Sequence, residues 1–566
     1  MQVDNIYKKF SELRKREQAN GTMPAWYQTA SVQLFYTKYL YEASTVKEQF
    51  ERIARTAAKH LAHIGKEEEA YGKFFNMLWN GWLSPSTPVL ANTGTNRGLP
   101  VSCSGGYVDD SIYGFKTHDL EMAMLTKNGF GTSGYLGDIR PRGSKISVGG
   151  TASGVVPVFK DLVETMRLVA QGTARRGAWA GYLPIDHGDF FELADYVQAN
   201  PDDANVGWVI TDAFIARLKA KDFDAIRRFQ KALKLKMVTG KGYFHLHGNS
   251  NRQSPQMYKD LGLEVLASNL CQEIHLFSNP DYTFTCVLSS LNLARYDEWK
   301  DTDTIFWSTI FLDCIAEEFI QRAKNMKGLE RAVRFTEESR ALGLGACGFH
   351  TYLQSHKIPF ESLEAQFLNK AIFKEISEKS LVASQWMAVE LGEPKWCKGY
   401  GVRNTHRMAI APTKSTAILI GNVSEGINPD PAMTFTQTTS AGEVERINGV
   451  LVDLMREKNC YTKKHIQEVI DADGSVQGVD WLTDEEKMVF KTAFEINQEV
   501  IVRLGSQRQP HICQGQSLNL YFSEDEDERW ISHIHKKIFE DENLKGSYYI
   551  YSKAGVKGSK DCEACS

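Results

Sequence analysis

Helical segments alternate with short apolar, strand-like pieces over roughly 400 residues, with no Pro/Gly/Ser-rich linker, internal repeat or low-complexity block between them. That alternation is the strongest restriction on the fold, because it predicts an α/β core in which helices cover a sheet. Residues 1–80 read as helical, rich in Lys and Glu, with Tyr36, Leu40 and Tyr41 at helical spacing. Trp307 to Met326 predicts another amphipathic helix, whose apolar stripe is Ile310, Phe311, Cys314, Ile315, Phe319 and Ile320. A third opens at Thr483, where Glu486 completes a capping box and Met488 to Leu504 supply the helix body. Gly207 to Ile210, Cys286 to Leu288 and Leu518 to Phe522 read as strands.

Composition excludes several classes. With 42% hydrophobic residues among 566, the chain can bury a large core and is not disordered. A net charge of −4 gives no case for nucleic-acid or membrane-surface binding. No apolar run reaches the roughly 18 residues of a membrane span. The start, Met1-Gln2-Val3-Asp4, has no signal-peptide core. A cytoplasmic chain is expected (host cytoplasm, if viral). Its ten cysteines are then free, catalytic or metal-bound rather than structural disulfides.

Four stretches carry chemistry. In Ser268-Asn269-Leu270-Cys271-Gln272-Glu273-Ile274, an extended backbone would place Asn269, Cys271 and Glu273 on one face. That face would offer an amide, a thiol and a proton-transferring carboxyl; a buried cysteine with polar neighbours is the plainer alternative. Cys562 and Cys565 form a terminal CxxC with no second ligand pair, which favours a redox dithiol over zinc. Pro412-Thr413-Lys414-Ser415-Thr416-Ala417 can open a helix, either as an anion site or as a simple hydroxyl cap. Between residues 128 and 182, glycines crowd around Arg140, Arg142, Arg175 and Arg176. Such backbone suits loops that approach phosphates, or ordinary turns, and contains no Walker A or dinucleotide pattern. Tyr548-Tyr549 precedes a small-residue, charged segment, 553–566, read as a mobile arm.

Taken in order, these residues resemble the large, catalytic subunit of class I ribonucleotide reductase, from about residue 75 to the C-terminus. Asn269 to Ile274 is similar to that family's finger loop. Leu83 to Pro88 and Val101-Ser102-Cys103 are similar to its substrate loop and first redox cysteine. Thr285 to Leu293 holds the second, Cys286. Pro412 to Thr416 with Gly421 to Ile427 resembles its phosphate-binding segment, and Gln514 to Asn519 a late core strand.

The resemblance implies a ten-stranded α/β barrel around a central finger loop, with an N-terminal helical region (1–80), a catalytic barrel (81–525), a small C-terminal region (526–552) and a flexible CxxC tail (553–566). It implies roles as well. Cys271 would carry a transient thiyl radical, Glu273 would be the general base and Asn269 a substrate hydrogen-bonding group. Cys103 and Cys286 would supply two reducing equivalents. Cys562 and Cys565 would re-reduce that pair and be reset by thioredoxin or glutaredoxin. Tyr548 and Tyr549 would relay the radical from a separate, metal-containing small subunit, so that this chain itself holds no metal or cofactor. Thr87, Ser102, Gly131 and Thr413 to Thr416 would contact a ribonucleoside diphosphate, although family members vary at the position of Lys414. Asp110, Arg140 and Arg175 would contact a deoxynucleoside triphosphate effector, in a homodimer. Residues 1–80 are too few for an N-terminal ATP cone plus the helical domain, so no cone-mediated dATP switch is expected. Cys314, Cys347, Cys397, Cys460 and Cys513 have no implied role. The adenosylcobalamin-dependent class shares the finger loop and the redox cysteines, but has no need of Tyr548-Tyr549.

Overall fold

The structure, a computed structural model, describes residues 2–169, 178–203, 205–439 and 442–552. Helices Gln2–Ala19, Thr29–Leu34, Val46–Ala58 and Glu67–Trp79 come first. Val46–Ala58 starts where the Thr45 hydroxyl accepts the Glu48 N–H, and it buries Phe50, Ile53, Ala54 and Ala57 at i, i+3, i+4 and i+7. Glu67–Trp79 has three glutamates in its first turn, which suit the positive end of the helix dipole. Its Phe74 meets Trp307 and Phe311 edge-on, at 6.0 and 5.2 Å between ring centroids.

Trp307 and Phe311 belong to helix Thr304–Ala323, which is buried well beyond the expected stripe. Thr309, Asp313 and Glu318 are buried too. Asp313 stays ionised because Arg403 and Arg340 surround it, while Asn404 donates to it. A helix walled in on every side shows no clean amphipathic period.

The sheet comprises β1 (Leu83–Pro85), β2 (Cys103–Tyr107), β3 (Thr132–Tyr135), β4 (Trp179–Pro184), β5 (Asn205–Ile210), β6 (Tyr243–Leu246), β7 (Phe284–Asn292) and β8 (Leu342–Cys347). A hairpin, β9 (Thr434–Thr439) and β10 (Gly442–Ile447), lies apart, and β11 (Leu520–Phe522), β12 (Gly546–Ser547) and β13 (Ile550–Ser552) complete the set. Strands β2 to β6 run parallel in chain order. Strand β7 joins this run antiparallel to β2, and β8 continues parallel to β7. Parallel bridges Leu344–Met408 and Ile410–Gln516 carry the second run onward. The two runs are the half-barrels of an α/β barrel, nearly every strand residue being buried, as a parallel sheet covered by helices requires.

The C-terminal segment clasps the halves together. β12 pairs with β6, and β13 pairs with β11. Between them the Tyr548 N–H donates to the Leu518 carbonyl (2.8 Å), and the Leu520 N–H donates to the Tyr549 carbonyl (3.0 Å). Gly546–Ser547 and Ile550–Ser552 are therefore strands flanking Tyr548 and Tyr549, where the sequence shows only the loss of apolar period after Lys545.

One helix expectation fails. The capping box of Thr483 and Glu486 forms, but its helix ends at Val489 and a separate helix runs Gln498–Arg508. The chain breaks because Ala493 N–H is drawn to the Asp430 carbonyl (2.7 Å), while Asn497 caps the second helix through the Glu499 N–H. The long-range bond to Asp430 and the local cap at Asn497 outweigh the weak helical propensity of the intervening residues.

Candidate active site

The antiparallel joint between the half-barrels sets the register Cys103–Cys286, Ser104–Thr285, Gly105–Phe284. Directly opposed residues share a sheet face, with Cα atoms about 4.5–5.5 Å apart, within the span a disulfide can bridge. Both residues are buried, and no disulfide joins them. Glycine is needed at 105, since a Cβ there would lie 2.2 Å from the Phe284 ring. Burial pushes the Cys286 thiol well above its ordinary pKa, and the Gln514 amide, 3.5 Å away, opposes this only partly. Cys286 is a thiol at neutral pH.

Residues 263–283 form a long excursion into the barrel, with a turn at 270–272 and one bridge, Asn279–Tyr282. The extended, alternating reading of 269–273 is overturned: Gln272 sits at φ +64. The Asn269 side-chain carbonyl instead accepts the N–H groups of Glu273 (3.1 Å) and Ile274 (3.0 Å). The asparagine's side-chain oxygen thus builds the turn, while its amide nitrogen donates to Cys103 Sγ (3.3 Å). Glu273 Oε1 lies 3.9 Å from Cys103 Sγ, and Ser517 Oγ lies 3.4 Å from Oε2.

Strands from both halves hold the loop. Tyr182 Oη, on β4, is 2.6 Å from the Asn269 carbonyl and 2.7 Å from Gln272 Oε1. Ser133 on β3 donates to the Ser268 carbonyl (2.8 Å), and Ser517 donates to the Cys271 carbonyl (2.6 Å). The Gly515 N–H donates to the Glu273 carbonyl (2.8 Å). Only glycine fits at 515, where a Cβ would meet the His275 ring at 2.4 Å. Sequence reading missed Tyr182, Gln514 and Ser517 as loop supports; the run Gln514-Gly515-Gln516-Ser517, dense in polar groups just ahead of an apolar stretch, is the available signal.

The turn divides the loop chemically. Asn269 and Glu273 face Cys103, while Cys271, 2% exposed, packs with Leu270, Tyr182, Tyr243, Tyr548 and Tyr549. The Tyr548 and Tyr549 rings lie 4.3 Å apart between centroids. Tyr243, also missed, stands 4.7 Å from Tyr548 and donates to Tyr549 Oη at 3.0 Å. Burial pushes the Tyr549 phenol up to about 12, so it stays protonated.

Lys236 donates to the Tyr548 carbonyl, and burial pushes its amine down from 10.5 to about 7. The unfolded chain therefore holds a proton that the folded chain has released between those values. Stability from this group should rise with pH there, by about 1.4 kcal/mol per unit. Thermal melts from about pH 7 to pH 9.5 should show the wild type gaining on Lys236→Met. A gap that does not change with pH would mean the amine is charged in the fold.

The substrate-segment residues gather at one end of the barrel. Ser102 Oγ lies 2.6 Å from Ser86 Oγ, and Thr87 Oγ1 lies 3.0 Å from Tyr39 Oη. The Gly131 N–H donates to the Ser102 carbonyl (2.8 Å). Thr413, at φ +52, opens helix Lys414–Leu419 and accepts the Gly426 N–H (2.8 Å), while Ser415 and Thr416 are buried in its first turn. Ser84, beside β7, donates to the Thr416 carbonyl (3.4 Å) and ties this helix to the substrate-loop segment. Asp110 and Arg140 follow β2 and β3 and form an ion pair with each other. Arg175, Cys562 and Cys565 lie outside the described residues. Among the described residues no group of three or more His, Cys, Asp or Glu could hold a metal ion, and no helix is long and apolar enough to cross a membrane.

Comparison with known proteins agrees with this geometry. The family model described as ribonucleotide reductase, barrel domain, matches residues 101–226, 217–397 and 394–550, and the ribonucleotide reductase all-alpha domain matches 25–98. The solved alpha subunit of the Actinobacillus ureae class Id ribonucleotide reductase superposes with a TM-score of 0.87 at 38% identity, over 94% of this chain and 98% of that one. The ribonucleoside-diphosphate reductase large subunit of Invertebrate iridescent virus 3 is 29% identical, covering 93% of this chain and 95% of its own. That of Caenorhabditis elegans is 26% identical over 85% and 71%. With both domain models matched and the barrel built around its loop, the chain belongs to the ribonucleotide reductase large-subunit family.

Proposed function

We propose that this large subunit reduces ribonucleoside diphosphates with a radical supplied by a separate, metal-containing small subunit. The observation that carries the reading is the Cys103–Cys286 register lying beneath Asn269 and Glu273. Cys271 as a thiyl takes the ribose 3′ hydrogen, and Glu273 takes the 3′ hydroxyl proton. Asn269 hydrogen-bonds the substrate. The 2′ hydroxyl leaves as water, with a proton from the Cys103/Cys286 pair. That pair supplies two electrons and, with its second proton, the new hydrogen at C2′ as it closes to a disulfide; Glu273 returns its proton to the 3′ oxygen, and Cys271 returns a hydrogen to C3′. Thr87, Ser102, Gly131, Thr413, Ser415 and Thr416 hold the substrate. Lys414, in the same segment, faces Tyr549 and Tyr551 instead.

Tyr548 and Tyr549 pass one hydrogen-atom equivalent at a time between the small subunit and Cys271. Their contact with each other, and their place in the apolar cluster of Cys271, support this. A cobalamin-dependent enzyme would have no use for the pair, and the likeness to a class Id alpha subunit supports the same choice. An assay of the chain with a candidate small subunit, against adenosylcobalamin alone, tests it; turnover with cobalamin alone would overturn the reading.

Cys562 and Cys565 reopen the internal disulfide and are reset by thioredoxin or glutaredoxin. The double change Cys562→Ser, Cys565→Ser should stop turnover with thioredoxin and leave it near wild type with a small dithiol. Equal loss with both reductants would remove the shuttle role. Asp110, Arg140 and Arg175 bind a deoxynucleoside triphosphate effector in a homodimer. The Asp110–Arg140 pair at the ends of adjacent strands supports a shared site for the first two.

A further inference from the structure

Lys414 stands in the segment that resembles a phosphate-binding run, yet its side chain points to the tyrosines. Its ammonium lies 5.7 Å from the Tyr549 ring centroid and 5.3 Å from that of Tyr551. Those two rings are themselves 5.7 Å apart. Tyr551 is fixed from behind: it is the register partner of Tyr521 across β11 and β13, and the two rings stack at 5.3 Å and 15°. Tyr549 is fixed from the other side by the Tyr243 hydroxyl on β6. The lysine is thus seated between a clamped ring and the ring that meets Tyr548.

We propose that Lys414 is a positioning residue for Tyr549, holding its ring in line with Tyr548 and keeping its electron from leaving ahead of its proton. The inference rests on the reading of Tyr549 as a radical carrier. A cation held at this distance is attracted to both ring faces, and so restricts the Tyr549 ring. It also opposes electron-first oxidation, while burial opposes proton-first loss. An electron leaving first would create a phenol radical cation beside an ammonium, two like charges in a low-dielectric site. A proton leaving first would create a buried phenolate. Loss of one electron and one proton together, to the one-electron oxidant of the small subunit and the proton acceptor beside it, leaves a neutral tyrosyl and avoids both.

The groups facing Tyr549 are Lys414, Tyr243, Tyr551 and Cys271, with Tyr548 against its ring. Lys414 faces Glu425 as well as the two phenols, and these keep its ammonium protonated against burial. Beyond Tyr551 lie Tyr521, Glu425 and Asp430. Of the groups named, Lys414 is the cation, so removing it removes the one charge that favours a Tyr549 phenolate.

The test uses the full chain with Lys414→Met, which keeps the length and loses the charge, and Lys414→Arg, which keeps the charge. A fluorinated tyrosine placed at 549 reports its own titration. Lys414→Met should raise that pKa by about one unit or more, and Lys414→Arg should restore it. Cytidine diphosphate affinity, measured by calorimetry on the chain alone, should stay within about twofold. With the small subunit, kcat should fall at least about tenfold at unchanged KM, and Lys414→Arg should recover most of it. An unshifted titration, or a tenfold weaker diphosphate affinity at unchanged kcat, would overturn the proposal and return Lys414 to the phosphate. Turnover retained by Tyr549→Phe would instead strike the relay reading, which neither the titration nor the binding measurement depends on.

Discussion

Cys271→Ser is expected to abolish ribonucleotide reduction with every reductant, a loss of at least about 10⁴-fold, equivalent to roughly 5.5 kcal/mol of lost transition-state stabilisation. The substitution changes one buried atom. The backbone bonds that hold the loop, from Ser517 to the Cys271 carbonyl and from Gly515 to the Glu273 carbonyl, do not involve the sulfur. What changes is the X–H bond. A serine O–H is too strong to yield its hydrogen to a tyrosyl, so no oxygen radical forms to attack C3′. The measurement is product formation with thioredoxin and with a small dithiol, beside calorimetric binding of the diphosphate. Residual turnover with either reductant would end the thiyl assignment. Loss of binding would show that the loop had moved, and Cys271→Ala would then separate packing from chemistry.

Tyr549→Phe should block turnover by about 10³-fold or more while substrate affinity stays within about twofold. Phenylalanine keeps the ring that packs on Tyr548, Tyr551 and the Lys414 ammonium. It removes the hydroxyl that accepts from Tyr243, at a stability cost of about 1 kcal/mol. A ring without a hydroxyl cannot exchange a hydrogen atom with its neighbour, so the relay is cut and the site stays intact. Turnover, diphosphate affinity and the melting temperature together check this. Normal turnover would mean that the radical reaches Cys271 by another route.

Much of the site was legible in local motifs. Asn269, Cys271 and Glu273 stand out because an amide, a thiol and a carboxyl crowd five positions, but strand alternation does not arrange them. A turn at Gln272, with the asparagine side chain bonding the backbone, brings Asn269 and Glu273 to Cys103 and sets Cys271 among the tyrosines. Tyr243 and Tyr182 escaped notice because each is one aromatic in an ordinary strand, and aromatic residues in strands usually only pack. The expected helix at 307–326 forms as Thr304–Ala323, although its burial exceeds the expected stripe. The expected helix fails between Val489 and Gln498, where the Ala493 bond to Asp430 overrides propensity.

By itself the sequence determined the α/β class, the ordered motifs that mark the family, and the residue types able to do radical, acid–base and thiol chemistry. It could do so because those features reside in short spacings and in composition. The tertiary structure alone decided that Cys103 faces Cys286, that residues 546–552 close the barrel and so bury Tyr548 and Tyr549 beside Cys271, and that Lys414 turns to the tyrosines. Each of these is a contact between segments far apart in the chain. Such contacts are set by strand register and by burial of the whole sheet, and no local pattern carries that information.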